Sequence, residues 1–363
     1  MKILFISRST LFKDKGGDTI QVQNTAEYLR KIDVYVDIRL CDDDTIDYSK
    51  YHLIHFFNII RPADILRHIE RSKKPYVVST IYVDYSEYEK MARGGAIGML
   101  FKFVPGDMIE YAKVIARLLL NGEKIISPSY LFLGQSRSIK KIMRKASVLL
   151  PNSESEYRRL VNRYKVVSPF KVVPNAIDPL LFKKTKNSLA RDAHLIVCAG
   201  RIEGRKNQLN LILALRNTRF NLVIIGSASP NQMKYYDACK AAAASNISFV
   251  GSVAQEELVD YYSRAKVHVL PSWFETTGLS SLEAAAMGCE IVVTRKGDTV
   301  EYFENYAFYC EPDSVRSIFE AVEKAAMHEY DETLRNKIFA RYTWIQAAEK
   351  TKEAYQEIMQ KNS

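Results

Sequence analysis

Short apolar runs recur along the chain, separated by polar stretches that often hold glycine. Lys2 to Ser7, Val34 to Leu40, Tyr51 to Phe57, Pro75 to Thr80 and Ala146 to Pro151 form a first series. Leu195 to Ala199, Leu222 to Gly226, Ile247 to Gly251, Val267 to Leu270 and Glu290 to Thr294 form a second. Most of these runs are continuously apolar rather than alternating, which predicts strands covered on both faces, as in parallel sheets. Helical patterns fall between them, beginning with about Thr19 to Lys31 and ending with Val315 onward. Strand, loop and helix in alternation predict an α/β fold of doubly wound sheets, and 363 residues are too many for one ordinary core.

The pattern changes between Ser86 and Lys145. It holds GGAIGMLFKFVPG at 94–106, an apolar helix from Met108 to Leu120 and a basic helix from Ser136 to Lys145, more than one crossover needs. An amphipathic element facing an acceptor or a membrane fits this stretch, as does a helical subdomain. Further on, Pro179 and the polar, basic segment after it suit a linker. The expected domains are therefore 1–180 and 181–343.

The most chemically suggestive stretch is VHVLPSWFETTGLSSLEAAAMGCEIVVT, residues 267–294. A strand should end at Pro271, a loop should carry Glu275, and Gly278 permits a tight turn or close backbone approach. Ser280 and Ser281 are suited to capping, Leu282 to Met287 forms helix readily, and Gly288 ends it. From Gly278 to Glu283 a helix rises roughly 7.5 Å, comparable with the reach of a diphosphate. Its N-terminus attracts an anion, which leaves Glu275 for hydroxyls at one end and Glu283 for hydroxyls at the other. That outline is a nucleotide-sugar site. A second cluster, Gly200-Arg201-Ile202-Glu203-Gly204-Arg205-Lys206-Asn207, sets cations after a glycine turn, as a diphosphate requires. Arg205 is expected to face solvent. Gly226 and the backbone from Val250 to Val253 follow strand ends and should border a nucleotide base. Gly16-Gly17, after the first strand, would let backbone approach a phosphate or sugar; it is neither GxGxxG nor a P-loop.

Pro271-Ser272, Glu275, Gly278-Leu279, Glu283-Ala284 and Gly288, with Lys171 to Asp178, resemble the retaining glycosyltransferases of family 4, or group 1, which have the GT-B fold. The resemblance is close over 171–303 and architectural over 81–145. It implies two Rossmann-like domains facing a central cleft. The N-terminal one takes the acceptor and the C-terminal one the donor, and the terminal helices, about 344–362, cross back to the N-terminal domain. It implies that Glu275 meets the donor sugar, that Glu283 holds the ribose hydroxyls, and that Arg201 and Lys206 bind the phosphates. Gly16, Gly17, Gly226, Val253, Thr277, Gly278 and Leu279 complete the donor site. Glu275, Arg201 and Lys206 would carry catalysis. Many members hold an active-site histidine near 81–85; Tyr82 or Asp84 stands there instead, and His55 reads as a core residue.

The resemblance thus implies transfer of a sugar, with retained configuration, from a UDP- or GDP-sugar to a saccharide or lipid-linked saccharide in cell-surface polysaccharide or glycolipid synthesis. No cofactor and no metal are expected; Asp42 to Asp44 read as an acidic turn. Alternatives are a nucleotide-sugar epimerase or phosphorylase on the same fold, or a nucleotide-sugar-binding protein without activity. The five cysteines show no CxxC pairing, and no apolar run reaches the length of a bilayer span. Met1 opens a strand rather than a signal peptide, so a cytoplasmic protein is expected. The net charge of +10 falls wholly before residue 176, and Arg137, Lys140, Lys141, Arg144 and Lys145 crowd one helix. An anionic membrane surface suits this better than nucleic acid, for which interleaved aromatics are missing.

Overall fold

In the computed structural model, residues 1–14, 16–83, 88, 111, 127–183 and 191–361 are described. The chain divides into two compact units: Met1–Tyr82, Arg93–Asn175 and Trp344–Ser363 make the first, Val83–Ala92 and Ala176–Thr343 the second. The expected apolar segments 94–106 and 108–120 lie outside the described residues, apart from Tyr111.

The first unit is built on β1 (Lys2–Ser7), β2 (Tyr35–Leu40), β3 (Leu53–Phe57), β4 (Tyr76–Ser79) and β5 (Val148–Leu150), with α1 (Gly17–Lys31), α2 (Pro62–Ser72), α3 (Pro128–Lys145) and α4 (Glu154–Tyr164) between them. The strands are parallel in the order β2-β1-β3-β4-β5. β1, β3 and β4 are almost wholly buried, which is why they read as unbroken apolar runs. Order reverses between β1 and β3, and in open α/β sheets that crevice, beyond the strands' carboxyl ends, is where ligands bind.

The second unit holds β6 (Asp192–Ala199), α5 (Gln208–Leu215), β7 (Asn221–Ile225), α6 (Met233–Ala242), β8 (Ile247–Phe249), α7 (Gln255–Arg264), β9 (Ala265–Leu270), α8 (Leu279–Met287), β10 (Glu290–Thr294), α9 (Thr299–Phe303), β11 (Phe308–Cys310), α10 (Val315–Met327) and α11 (Thr333–Arg341). Its parallel sheet runs β11-β10-β9-β6-β7-β8, the six-stranded dinucleotide-fold order read from the opposite edge. The reversal lies between β6 and β9. A core from Ile177 to Ile338 fills both faces of this sheet.

The chain enters the second unit after Asn175, a few residues before the polar linker segment, because Ile177 and Phe182 are already core there. Its entry and exit lie side by side: the Ile177 amide donates to Tyr342 O at 2.8 Å. α12 (Trp344–Lys361) then belongs to the first unit. Its Tyr355 hydroxyl meets His55 Nδ1 at 2.6 Å, while His55 Nε2 meets Ser79 Oγ at 2.8 Å. Burial pushes the His55 imidazole down to about 3, so it stays neutral, a satisfied core residue.

Candidate functional site

The reversal point of the second sheet brings together the loop after β9 and the loop after β6. β9 ends at Leu270, just before Pro271, and Gly278, with φ of +73°, turns the chain into α8. The Ser281 and Leu282 amides close the first turn on Gly278 O at 2.8 and 3.1 Å. The helix therefore starts at Leu279, in keeping with a helix that rises from Gly278, but its cap is glycine rather than serine. A left-handed φ at 278 takes over the cap, and Ser281 Oγ is left buried without a partner. Thr277 is buried immediately before this turn.

Glu275 is 7% exposed, and its carboxylate accepts from Lys206 Nζ at 2.5 Å. Its backbone is held from elsewhere. The Glu275 amide donates to Lys296 O at 3.2 Å, and Glu275 O accepts from the Asp298 amide at 2.9 Å. Sequence reading missed this turn after β10, because nothing in residues 295–298 themselves signals a partner some 20 positions upstream.

Lys206 closes a one-turn helix, Gly204–Lys206, after β6. Asn207, with φ of +62°, follows it, and its side-chain amide donates to Pro271 O at 3.1 Å and Pro312 O at 2.6 Å. That ties the cation loop to the start of the Glu275 loop. A second tie is the Trp273 amide donating to Arg205 O at 3.0 Å. Arg205 does not simply face solvent: its guanidinium pairs with Glu203 at 2.7 Å, and Glu203 is buried. Arg201, its side chain 40% exposed, has its guanidinium 3.9 Å from the same carboxylate. Glu203 therefore orients two cations, a role invisible in a sequence where it is one acid among basic neighbours. Behind this loop Gly226, with φ of +140°, lies against Gly200, where a Cβ would fall 2.0 Å from Gly200 O. Val253, in the segment after β8, packs half-buried on the core of this unit.

Glu283 lies on α8 and is buried; one carboxylate oxygen accepts from Gln255 Nε2 at 3.2 Å. Burial pushes its carboxyl up to about 8, and the Gln255 amide opposes that only in part. At neutral pH it therefore carries a proton, and can both donate and accept. Glu275 and Lys206 are brought into direct contact, whereas the partner of the Glu283 carboxyl is Gln255 on α7.

In the first unit Gly16 caps α1, with its amide donating to Thr19 Oγ1 at 3.2 Å, and Gly17 opens the helix. The loop is braced by buried Arg8, whose guanidinium meets Asp18 at 2.7 and 3.1 Å and Thr10 at 2.7 Å. Asp84 lies outside the described residues. The Tyr82 ring packs into the core, edge-on to Tyr164, so its bulk serves the fold. Just before it Ile81 has φ of +44°, the one β-branched residue among the described residues with positive φ. A carboxylate that sequence reading passed over clamps this turn. Fully buried Glu156 accepts from Thr80 Oγ1 and from the Tyr82 amide (2.7 Å) with one oxygen, and from the Asn152 amide (2.8 Å) with the other. Asp43 and Asp44 are engaged by Arg39, Arg67 and Arg71, and no acidic, histidine and cysteine group suited to a metal occurs among the described residues.

Residues 182–341 match the family described as glycosyl transferases group 1. Among curated proteins, the chain is 27% identical over 179 residues to D-inositol 3-phosphate glycosyltransferase of Acidothermus cellulolyticus, covering 43% of this chain and 40% of that one. It is 25% identical to lipopolysaccharide 1,2-N-acetylglucosaminetransferase of Salmonella typhimurium, covering 50% and 55%. The match thus spans about half the length of such relatives. Among solved structures, sucrose-phosphate synthase from Thermosynechococcus elongatus superposes with a TM-score of 0.74 at 16% identity, covering 99% of each chain. Anabaena HepE in complex with UDP-glucose gives 0.68 at 14%, covering 98% of this chain and all of that one. These likenesses are of fold: two parallel α/β units of the GT-B type.

Proposed function

Because residues 182–341 match the group 1 glycosyl transferases, we propose that this chain transfers a sugar from a nucleotide-sugar to a hydroxyl of a saccharide or lipid-linked saccharide, with the anomeric configuration retained. The contact between Lys206 and Glu275 at the reversal point of the second sheet carries this reading. It sets a cation for phosphate beside a carboxylate for sugar hydroxyls, at the mouth of the helix that begins at Leu279. Arg201, Lys206 and the α8 amides stabilise the departing diphosphate, in place of a metal. Glu275 orients the sugar and Glu283 the ribose. Gly226, Val253, Thr277 and Gly278 line the donor; Gly16 and Gly17 are the candidate glycines of the first unit's loop. A hydrolase would hold its two carboxylates around one bond, whereas these two serve opposite ends of the donor. The UDP-glucose held by the HepE structure supports a uridine donor.

The acceptor reading rests on α3. Arg137, Lys140, Lys141, Arg144 and Lys145 recur at helical spacing opposite the buried positions Ser138, Ile139, Ile142 and Met143. Such a cationic stripe suits an anionic membrane, each near-surface Lys or Arg contributing roughly 1 kcal/mol. No helix among the described residues is long and apolar enough to cross a membrane. We therefore place the acceptor on a lipid at the inner face, in glycolipid or surface-polysaccharide synthesis. A thermal-shift screen of UDP-, GDP- and ADP-sugars tests the donor: ligand at 100 times its Kd adds about 2.7 kcal/mol, a shift of several degrees. Silence from all three classes removes the proposal.

A further inference from the structure

Glu275 owes its place to a turn that follows another strand. The Glu275 loop and residues 296–298 form a short parallel bridge, Glu275 to Gly297, in which both backbone polar groups of Glu275 are engaged: its amide by Lys296 O at 3.2 Å, its carbonyl by the Asp298 amide at 2.9 Å. Gly297 sits between these two bonds with φ of +96°, and a Cβ there would fall 2.0 Å from Glu275 O and 3.0 Å from Glu275 N. Both obstacles are backbone, which cannot swing aside, so only glycine lets the two chains lie this close. The turn is itself hooked to the same loop by Thr294, whose Oγ1 donates to Ser272 O at 2.7 Å.

From this geometry we propose that Gly297 is a positioning residue for the sugar end of the donor, acting through the backbone of Glu275. The proposal rests on the donor reading above and sharpens it: the turn after β10 sets where the sugar's hydroxyls are met, while the nucleotide end is held independently by Glu283 on α8. A side chain at 297 must push the two loops apart, and that displaces the Glu275 carboxylate from the sugar while leaving α8 anchored at Gly278. Loss therefore falls on recognition of the hexose and not on recognition of the nucleoside diphosphate.

The test compares Gly297→Ala with the wild type by calorimetric titration of UDP and of UDP-glucose, and by release of UDP from UDP-glucose with water as acceptor. The expected result is a UDP Kd within about twofold of wild type, with UDP-glucose turnover lowered tenfold or more and the affinity difference between UDP-glucose and UDP reduced. Should Gly297→Ala not fold, Thr294→Val decides. It keeps side-chain volume and removes the hook to Ser272 O, and it should give the same selective loss. Wild-type turnover in a folded Gly297→Ala protein, or equal weakening of UDP and UDP-glucose in Gly297→Ala or Thr294→Val, overturns the proposal but leaves the donor reading standing. A wild-type protein that binds neither these ligands nor the corresponding GDP and ADP pairs overturns both.

Discussion

The proton on Glu283 makes a prediction that needs no ligand. Burial on α8 raises its carboxyl from 4.5 to about 8. In the unfolded chain the same group ionises near pH 4.5, so between these limits the folded protein holds one proton more than the unfolded one. Stability then falls as pH rises, by up to about 1.4 kcal/mol per pH unit. The contribution is fully present below the unfolded value and lost by the time pH passes the folded one, on the order of 5 kcal/mol in all. For a unit of this size that is on the order of 10 °C in melting temperature. Glu283→Gln keeps the oxygen that accepts from Gln255 and has no proton to lose, so this part of the pH dependence should vanish. Differential scanning calorimetry from about pH 5 to about pH 9 is the assay. The two proteins should melt alike at the acid end, and the variant should melt higher at the alkaline end. Parallel curves across the range would show that Glu283 is ionised in the folded protein, and the argument from burial would fail.

Other outcomes follow from the clamp, the cation loop and the basic helix. Ile81→Gly should raise the melting temperature by relieving a β-branched residue at positive φ, while Glu156→Gln should lower it, each buried hydrogen bond left unmade costing roughly 1 to 3 kcal/mol. The loss from Glu156→Gln should shrink when it is combined with Ile81→Gly; equal losses with and without that second substitution would mean that Glu156 does not act on Ile81. Arg201→Ala and Lys206→Ala should each slow sugar transfer by on the order of 10² while EDTA leaves it unchanged, and full activity in either variant would remove that residue from the mechanism. With phosphatidylglycerol vesicles the protein should sediment at low salt and not at high salt, and charge reversal at Lys140, Lys141, Arg144 and Lys145 should abolish it. A wild type that stays in the supernatant at low salt would end the lipid-surface reading.

The strands were legible because burial on both faces leaves an unbroken apolar run, and β1, β3, β6, β9 and β10 stand close to where that signal put them. Glu275, Gly278, Glu283, Arg201 and Lys206 were legible as a spaced pattern. Their supports were not. Glu156 and Gly297 act through partners on other strands or loops, and a lone acid or glycine carries no local mark of a distant partner. The cap of α8 is hidden for a related reason: two serines look like caps, whereas the turn depends on the backbone angle of one glycine. The boundary near 180 followed composition, but the core of the second unit already begins at Ile177.

His55 on β3 waits for Tyr355, 300 positions later in the chain. A ribosome delivers the sheet of the first unit early, then all of residues 176–343, and only then the helix that covers β3. The second unit can finish folding on emergence, whereas the first must hold an uncovered imidazole and an apolar face until its last helix arrives. Vectorial synthesis thus reverses the order in which the units are completed. It makes the first unit, although translated first, the one exposed longest to misassembly.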